Sequence, residues 1–172
     1  TTNSINRNYR SSNYSTTLSN NRKNISEKDM NDLGLLTIPE DEGRKPHDFF
    51  HDRVMIPIFD KQGRVIAFGG RIMGDGQPKY LNSPETPIFN KRRILYNMNN
   101  ARDKGFAARN LIICEGYMDV ISLHQAGFTN AVAALGTAFT PQHAMLIKRY
   151  VKKVICTFDS DGAGVKAALR AI

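Results

Sequence analysis

From Asn110 onward, short apolar runs alternate with segments of helical spacing, and this alternation constrains the fold more than any other feature. "LIICEG", "AVAALG" and "KVICTFD" read as strands, with "MDVISLHQAG" and "TPQHAMLIKRY" between them and "AGVKAALRAI" opening a third helix. Strands joined through helices of this length predict an α/β unit with a parallel sheet and right-handed crossovers. Gly127 closes the first helix, while Thr140 and Pro141 supply the cap and first position of the second.

The preceding segment follows a different pattern. "RVMIPIFD", "RVIAFGGRI" and "PKYLNS" are strand signals separated by the turn compositions "KQG" and "GDGQ", which predicts an antiparallel meander. Pro57 places the first of these strands at an edge or a bulge. "NKRRILYNMNNARD" has helical spacing, with Ile94, Leu95 and Met98 on one side. Upstream, "ISEKDMNDLGLL" reads as a short helix capped by Ser26 and ended at Gly34, followed by the acidic loop "TIPEDEGRKPHD". Thr1 to about Asn24 is Asn/Ser/Thr-rich without an apolar period. The expected organisation is a weakly ordered lead over 1–25, an α+β part over 26–108 and an α/β unit over 109–172. The last predicted helix runs to the final residue without a polar cap, so the chain reads as a piece cut from a longer protein.

The formal charge of +8 points to a polyanionic partner. From Lys61 to Lys104 nine Lys/Arg stand against Asp75, Glu85 and Asp103, whereas Glu115 to Ile172 carries far less excess charge. A basic surface beside an acidic site suits an enzyme that holds a nucleic-acid backbone and works through metal. Cys114 and Cys156 both fall in apolar strand-like runs, forming neither a disulfide framework nor a CxxC motif. They read as buried structural thiols in a reducing compartment. No apolar run approaches the ~20 residues of a membrane span, and the polar opening does not resemble a signal peptide.

Ligands of open parallel sheets sit beyond the C-terminal strand ends. Glu115 ends the first predicted strand of the α/β unit, and Asp159 and Asp161 end the third. Three carboxylates at one sheet edge require protons or cations, and oxygen-only donors favour Mg²⁺ or Mn²⁺ over Zn²⁺. Gly162 and Gly164 let the backbone turn tightly beside them. The same residues also admit a plainer interpretation: Asp161 as a helix cap, Asp159 as a turn former, Glu115 as a surface residue. Asp119 reads as a capping or solvated residue on the following helix. His47 and His51 are four apart, but without a third nitrogen or sulfur ligand nearby they read as incidental.

The series "CEGYMDV … ALGTAFT … TFDSDGAG" resembles a TOPRIM domain, with a Glu after one strand and an Asp-x-Asp after a later one. "FGGR", "PKYLNSPET" and "LYNMNNAR", in that order, narrow the resemblance to the catalytic core of bacterial DnaG-type primases over about residues 26 to 172. The resemblance implies that Glu115, Asp159 and Asp161 bind divalent metal. It implies further that Arg71, Lys79, Tyr80 and Lys91 form a basic, partly aromatic face for template, primer or incoming nucleotide. Lys and Arg would neutralise phosphates without reading sequence, and Tyr80 would stack or hydrogen-bond.

The implied activity is template-directed synthesis of RNA primers on single-stranded DNA. The primer 3′-hydroxyl attacks the α-phosphate of a nucleoside triphosphate and pyrophosphate leaves. The implied setting is the replication fork in the bacterial cytoplasm, with this piece monomeric. Zinc and the replicative helicase belong to family domains that this chain lacks. The family's further acidic motif also falls beyond Ile172, which leaves the activity of the piece itself open. Gly162-Ala163-Gly164 lacks the Arg or Lys that many relatives carry before the second glycine. Two other classes stay in play: a non-catalytic binder of single strands, and another TOPRIM enzyme such as a nuclease or topoisomerase.

Overall fold

The computed structural model describes residues 25–41, 43–136 and 138–158. Helix α1 (Glu27–Asp32) starts at Ser26, whose Oγ accepts from Asp29 N–H at 3.0 Å, and ends before Gly34 at φ +66°. Two short strands not foreseen from sequence, β1 (Leu36–Thr37) and β2 (His47–Asp48), pair antiparallel around the acidic loop. Their two-residue length leaves no apolar alternation to read.

The meander is present as β3 (Arg53–Phe59), β4 (Val65–Ile72) and β5 (Tyr80–Asn82), antiparallel in the order β3-β4-β5. Pro57 lies on the edge strand β3, next to a register shift at Ile58/Phe59. That position spares a central ladder from its missing N–H.

Helix α2 (Met98–Ala108) begins later than its spacing suggested. The corrected region is 91–97. Lys91 to Arg93 form a turn, and Tyr96 makes a β-bridge with Ala133, donating N–H to its carbonyl at 2.8 Å. Asn97 then adopts the left-handed conformation, φ +65°, before the helix starts. Leu95 is buried from a non-helical backbone, so tertiary pairing overrides the helical period here.

Strand β6 (Asn110–Cys114) is followed by α3 (Tyr117–Gln125), β7 (Ala131–Ala133), α4 (Pro141–Ile147) and β8 (Lys153–Thr157). The three strands are parallel in the order β7-β6-β8, as the alternation predicts. Alternate residues of β6 face opposite sides of the sheet. Leu111 and Ile113 pack with Met98, Ala101 and Ile147 on the side of α2 and α4. Ile112 and Cys114 pack with Val120 of α3 on the other side. A third cluster joins the two sheets, placing Ile56, Ile58 and Ala67 with Phe89, Tyr117 and Leu135. Cys114 is buried, but Cys156 is exposed on the sheet-edge strand β8, which corrects the expectation of two buried thiols. Among the described residues no helix is long and apolar enough to cross a membrane.

Candidate nucleic-acid and metal site

Register brings the first basic residue to the aromatic one. Arg71 of β4 is the cross-strand partner of Tyr80 of β5, so their side chains share a face of the meander. Arg71 Cζ lies 6.0 Å from the Tyr80 ring centroid and Lys79 Nζ lies 5.8 Å from it, both at the outer reach of cation–π attraction. Tyr80 is 43% exposed, leaving ring surface open to a ligand. Arg71 Nε is buried without a hydrogen-bond partner in the structure.

Tyr117 carries this cluster across to the parallel sheet. It is the first residue of α3, two positions after Glu115, and its ring packs edge-on against Tyr80 at 5.7 Å. Its hydroxyl donates to the Gly70 carbonyl at 3.4 Å. Burial pushes its phenol up to about 12, with Tyr80 adding to the rise and Arg53 and Arg71 opposing it. The phenol therefore stays neutral and remains a donor at physiological pH. "FGGR" makes this approach possible: a Cβ on Gly69 would stand 2.8 Å from Tyr117 Cε1. On Gly70 it would stand 2.8 Å from Arg53 Cδ and 2.9 Å from Phe50 Cδ1.

A cavity of about 350 Å³ lies at this junction, lined by Tyr80, Asn82, Glu115, Tyr117, Asp119 and Gly136 among others. Glu115 is exposed just beyond the C-terminal end of β6. Asp119 accepts from Gly116 N–H at 3.0 Å, which matches its capping assignment. Asn82 and Tyr117 were not singled out in the sequence. Asn82 Oδ1 is buried and has no hydrogen-bond partner in the structure, a costly state for an acceptor. A polar residue between apolar Leu81 and the turn "SPET" is the sole signal the sequence offers for it.

Asp159 and Asp161 lie outside the described residues. The β6/β8 register pairs Cys114 with Thr157, so Glu115 and Phe158 each follow the end of one of two adjacent strands. Among the described residues no group of three or more His, Cys, Asp or Glu gathers for a metal ion. His47 is in β2 and His51 in an exposed link, so the helical geometry that would aim both at one ion is absent. Lys91 does not line the cavity. It sits in the turn before Tyr96, half-buried, with its main chain held by Glu85 and His143.

Comparison with known families decides what this arrangement belongs to. The model of the DNA primase catalytic core, N-terminal domain, matches residues 7–102, and a Toprim-like model matches 112–172. The chain belongs to the DNA primase catalytic-core family. It is 50% identical over 148 residues to the DNA primase of Deinococcus radiodurans, covering 86% of this chain and 26% of that protein. Among solved structures, a DNA primase domain from Pseudomonas aeruginosa superposes with a TM-score of 0.78 at 53% identity, over 84% of this chain and 44% of that one. A DnaG primase catalytic domain bound to single-stranded DNA superposes with a TM-score of 0.76 at 46% identity, over 84% and 44%. This primase-core chain thus spans about a quarter of the length of the curated relative, and its two three-stranded sheets are those of the primase core and its Toprim part.

Proposed function

We propose that this chain is the part of a DNA primase that holds template, primer and nucleoside triphosphate for template-directed RNA primer synthesis. The observation that carries the reading is Tyr117, which packs against Tyr80, itself flanked by Arg71 and Lys79, and lines with Tyr80 and Glu115 the cavity at the end of β6. Cations and an aromatic face beside a carboxylate-bearing strand end are what a metal-assisted nucleotidyl transfer needs. A neighbour of the same fold is described as bound to single-stranded DNA, which supports that strand as the template.

In this reading Arg71, Lys79 and Lys91 neutralise phosphates, and Tyr80 supports a base or sugar. Glu115, Asp159 and Asp161 are the oxygen donors that would hold Mg²⁺ or Mn²⁺, and the adjacent ends of β6 and β8 fit that assignment. A metal held there would supply a lowered pKa for the primer 3′-hydroxyl and compensation for negative charge at the α-phosphate. No side-chain nucleophile is required. The domain division at 26–108 and 109–172 is retained as an organisational proposal, although the cluster around Tyr117 shows a core shared by both parts.

The test is incorporation of labelled ribonucleotide on a single-stranded template with Mg²⁺ or Mn²⁺. It is run on this chain and on a version extended past Ile172 with the corresponding segment of a curated relative. Glu115→Gln and Asp159→Ala are expected to lower synthesis on the order of 100-fold while leaving strand binding in place. Primer synthesis that is indifferent to both substitutions would refute the metal assignment. Strand binding without synthesis in the extended version would instead favour a non-catalytic binder.

A further inference from the structure

Residues Asn90–Arg93 form a basic turn whose main chain is held almost wholly by side chains. Lys91 N–H donates to Glu85 Oε1 at 3.0 Å, and Arg92 N–H donates to Asn90 Oδ1 at 3.0 Å. The Lys91 carbonyl lies 2.9 Å from His143 Nε2, and the Arg92 carbonyl accepts from Thr140 Oγ1 at 2.7 Å. All four main-chain polar groups of two consecutive residues are therefore occupied by side chains, and both carbonyls by the first turn of α4. No ion pair among the described residues involves Lys91, Arg92 or Arg93. Arg92 and Arg93 are exposed and Lys91 is half-buried.

The chemistry of His143 sets the direction of its bond. Thr140 N–H reaches His143 Nδ1 at 3.2 Å, and an amide can only donate, so Nδ1 is the acceptor. The proton of the neutral ring is then on Nε2, which donates to the Lys91 carbonyl. Thr140 is doubly engaged as well: its Oγ1 accepts from His143 N–H at 3.2 Å while its proton goes to Arg92. His143 is fully buried and Thr140 nearly so, which protects both bonds from water. A helix cap alone would need only the Thr140–His143 pair. The two outward bonds to the basic turn are additional.

We propose that His143 and Thr140 are positioning residues for strand binding: the start of α4 clamps the Lys91 and Arg92 carbonyls and so presents the basic turn to a phosphate backbone. The clamp exploits a geometric constraint. With both carbonyls held at the start of α4 and the Lys91 N–H held by Glu85, the main chain of the turn is fixed while its side-chain cations make no ion pair among the described residues. Ion pairing would hold the turn at the expense of the charges it presents, whereas carbonyl capture leaves those charges available. This inference rests on the reading of Lys91 as a phosphate contact.

Two substitutions at one position separate the clamp from the cap. Asn places a polar group where Nδ1 stands and does not reach the Lys91 carbonyl; Gln places its amide near the Nε2 position. Binding of this chain to a thymidine oligonucleotide is measured by anisotropy over a salt series, alongside melting temperature. His143→Asn is expected to weaken binding about 3- to 10-fold and to flatten the log K against log salt slope by about 0.7, as Lys91→Ala does. His143→Gln is expected to bind within about twofold of the parent while melting lower than His143→Asn, since it loses the cap acceptor. Binding that ranks with melting temperature across these variants, or parent-like binding by His143→Asn, overturns the proposal. If Lys91→Ala itself keeps the parent's affinity and slope, the phosphate-contact reading fails and the proposal falls with it. A Lys91 effect without a His143 effect rejects the clamp alone.

Discussion

The hydroxyl of Tyr117 donates to the main-chain carbonyl of Gly70 at 3.4 Å, joining the first turn of a helix in the parallel sheet to the central strand of the antiparallel one. The bond is long, so its strength is modest. What matters is the ring packing it accompanies: Tyr117 touches Tyr80 and Tyr96 and fills the space that Gly69 leaves. The approach of the two halves at the cavity therefore depends on a missing side chain as much as on a present one.

Gly69→Ala should disturb this junction more than Tyr117→Phe. The new methyl meets the Tyr117 ring at 2.8 Å and forces it to shift, which costs roughly 1–3 kcal/mol for overpacking of this kind. Removing the hydroxyl forfeits one weak bond, at most about 1 kcal/mol. Urea denaturation of the two variants checks the order. A Gly69→Ala protein as stable as the parent would show that the ring has room to move.

Tyr80 separates stacking from charge. Tyr80→Phe should hold single-stranded DNA nearly as well as the parent, whereas Tyr80→Ala should lose about 1–3 kcal/mol if a base stacks there. Arg71→Ala should instead flatten the salt dependence by about 0.7 for each phosphate it no longer neutralises. Anisotropy titrations at several salt concentrations distinguish the two signatures. Loss of affinity on Tyr80→Phe would point to the hydroxyl rather than the ring.

Asp119 is expected to act on stability and not directly on catalysis. Its carboxylate takes the Gly116 N–H at the start of α3, so Asp119→Ala should destabilise by about 1 kcal/mol. Asp119→Asn, which keeps an acceptor, should recover most of the loss. Thermal melts test this. Loss of primer synthesis in Asp119→Asn at unchanged stability would move the residue from cap to active site.

Acid should weaken the fold through His143. Burial holds its pKa below the ordinary 6.5, and the backbone groups of Lys91 and Ile94 only partly oppose that effect. The turn that His143 holds carries the cationic Lys91, Arg92 and Arg93 and is bound by the Glu85 carboxylate through the Lys91 N–H. With the folded value below the unfolded one, the unfolded chain binds the proton more readily. This contribution to stability is complete above about pH 6.5 and is lost as pH falls toward the folded value. A proton on Nδ1 would also face the Thr140 N–H that now donates to it. Melting temperatures between pH 7 and 5 should show this component in the parent and not in His143→Gln.

Much of the architecture was legible because its signals are local. The apolar runs from Leu111 and Ala131 mark strands whose side chains face a core, the run from Val154 marks a strand that is exposed along its length, and Ser26, Thr140 and Gly127 mark helix ends through their own short-range chemistry. Residues 91–97 were misread because Ile94, Leu95 and Met98 keep helical spacing while Tyr96 pairs with Ala133, a partner far along the chain. The exposure of Cys156 likewise depends on which strand ends at the sheet edge, and apolar composition is silent on strand order.

The sequence by itself determined the two kinds of sheet, the basic stretch and the residue types of the candidate site, since periodicity, net charge and carboxylate spacing are properties of nearby residues. It also carried the family resemblance that the comparisons bear out. Tertiary structure alone decided that Tyr117 fits against Gly69, that Asn82 faces the cavity beside Glu115, and that His143 and Thr140 grip the Lys91–Arg92 turn. Those relationships join residues dozens of positions apart. They arise when packing fixes sheet register and helix placement, which local sequence patterns do not encode.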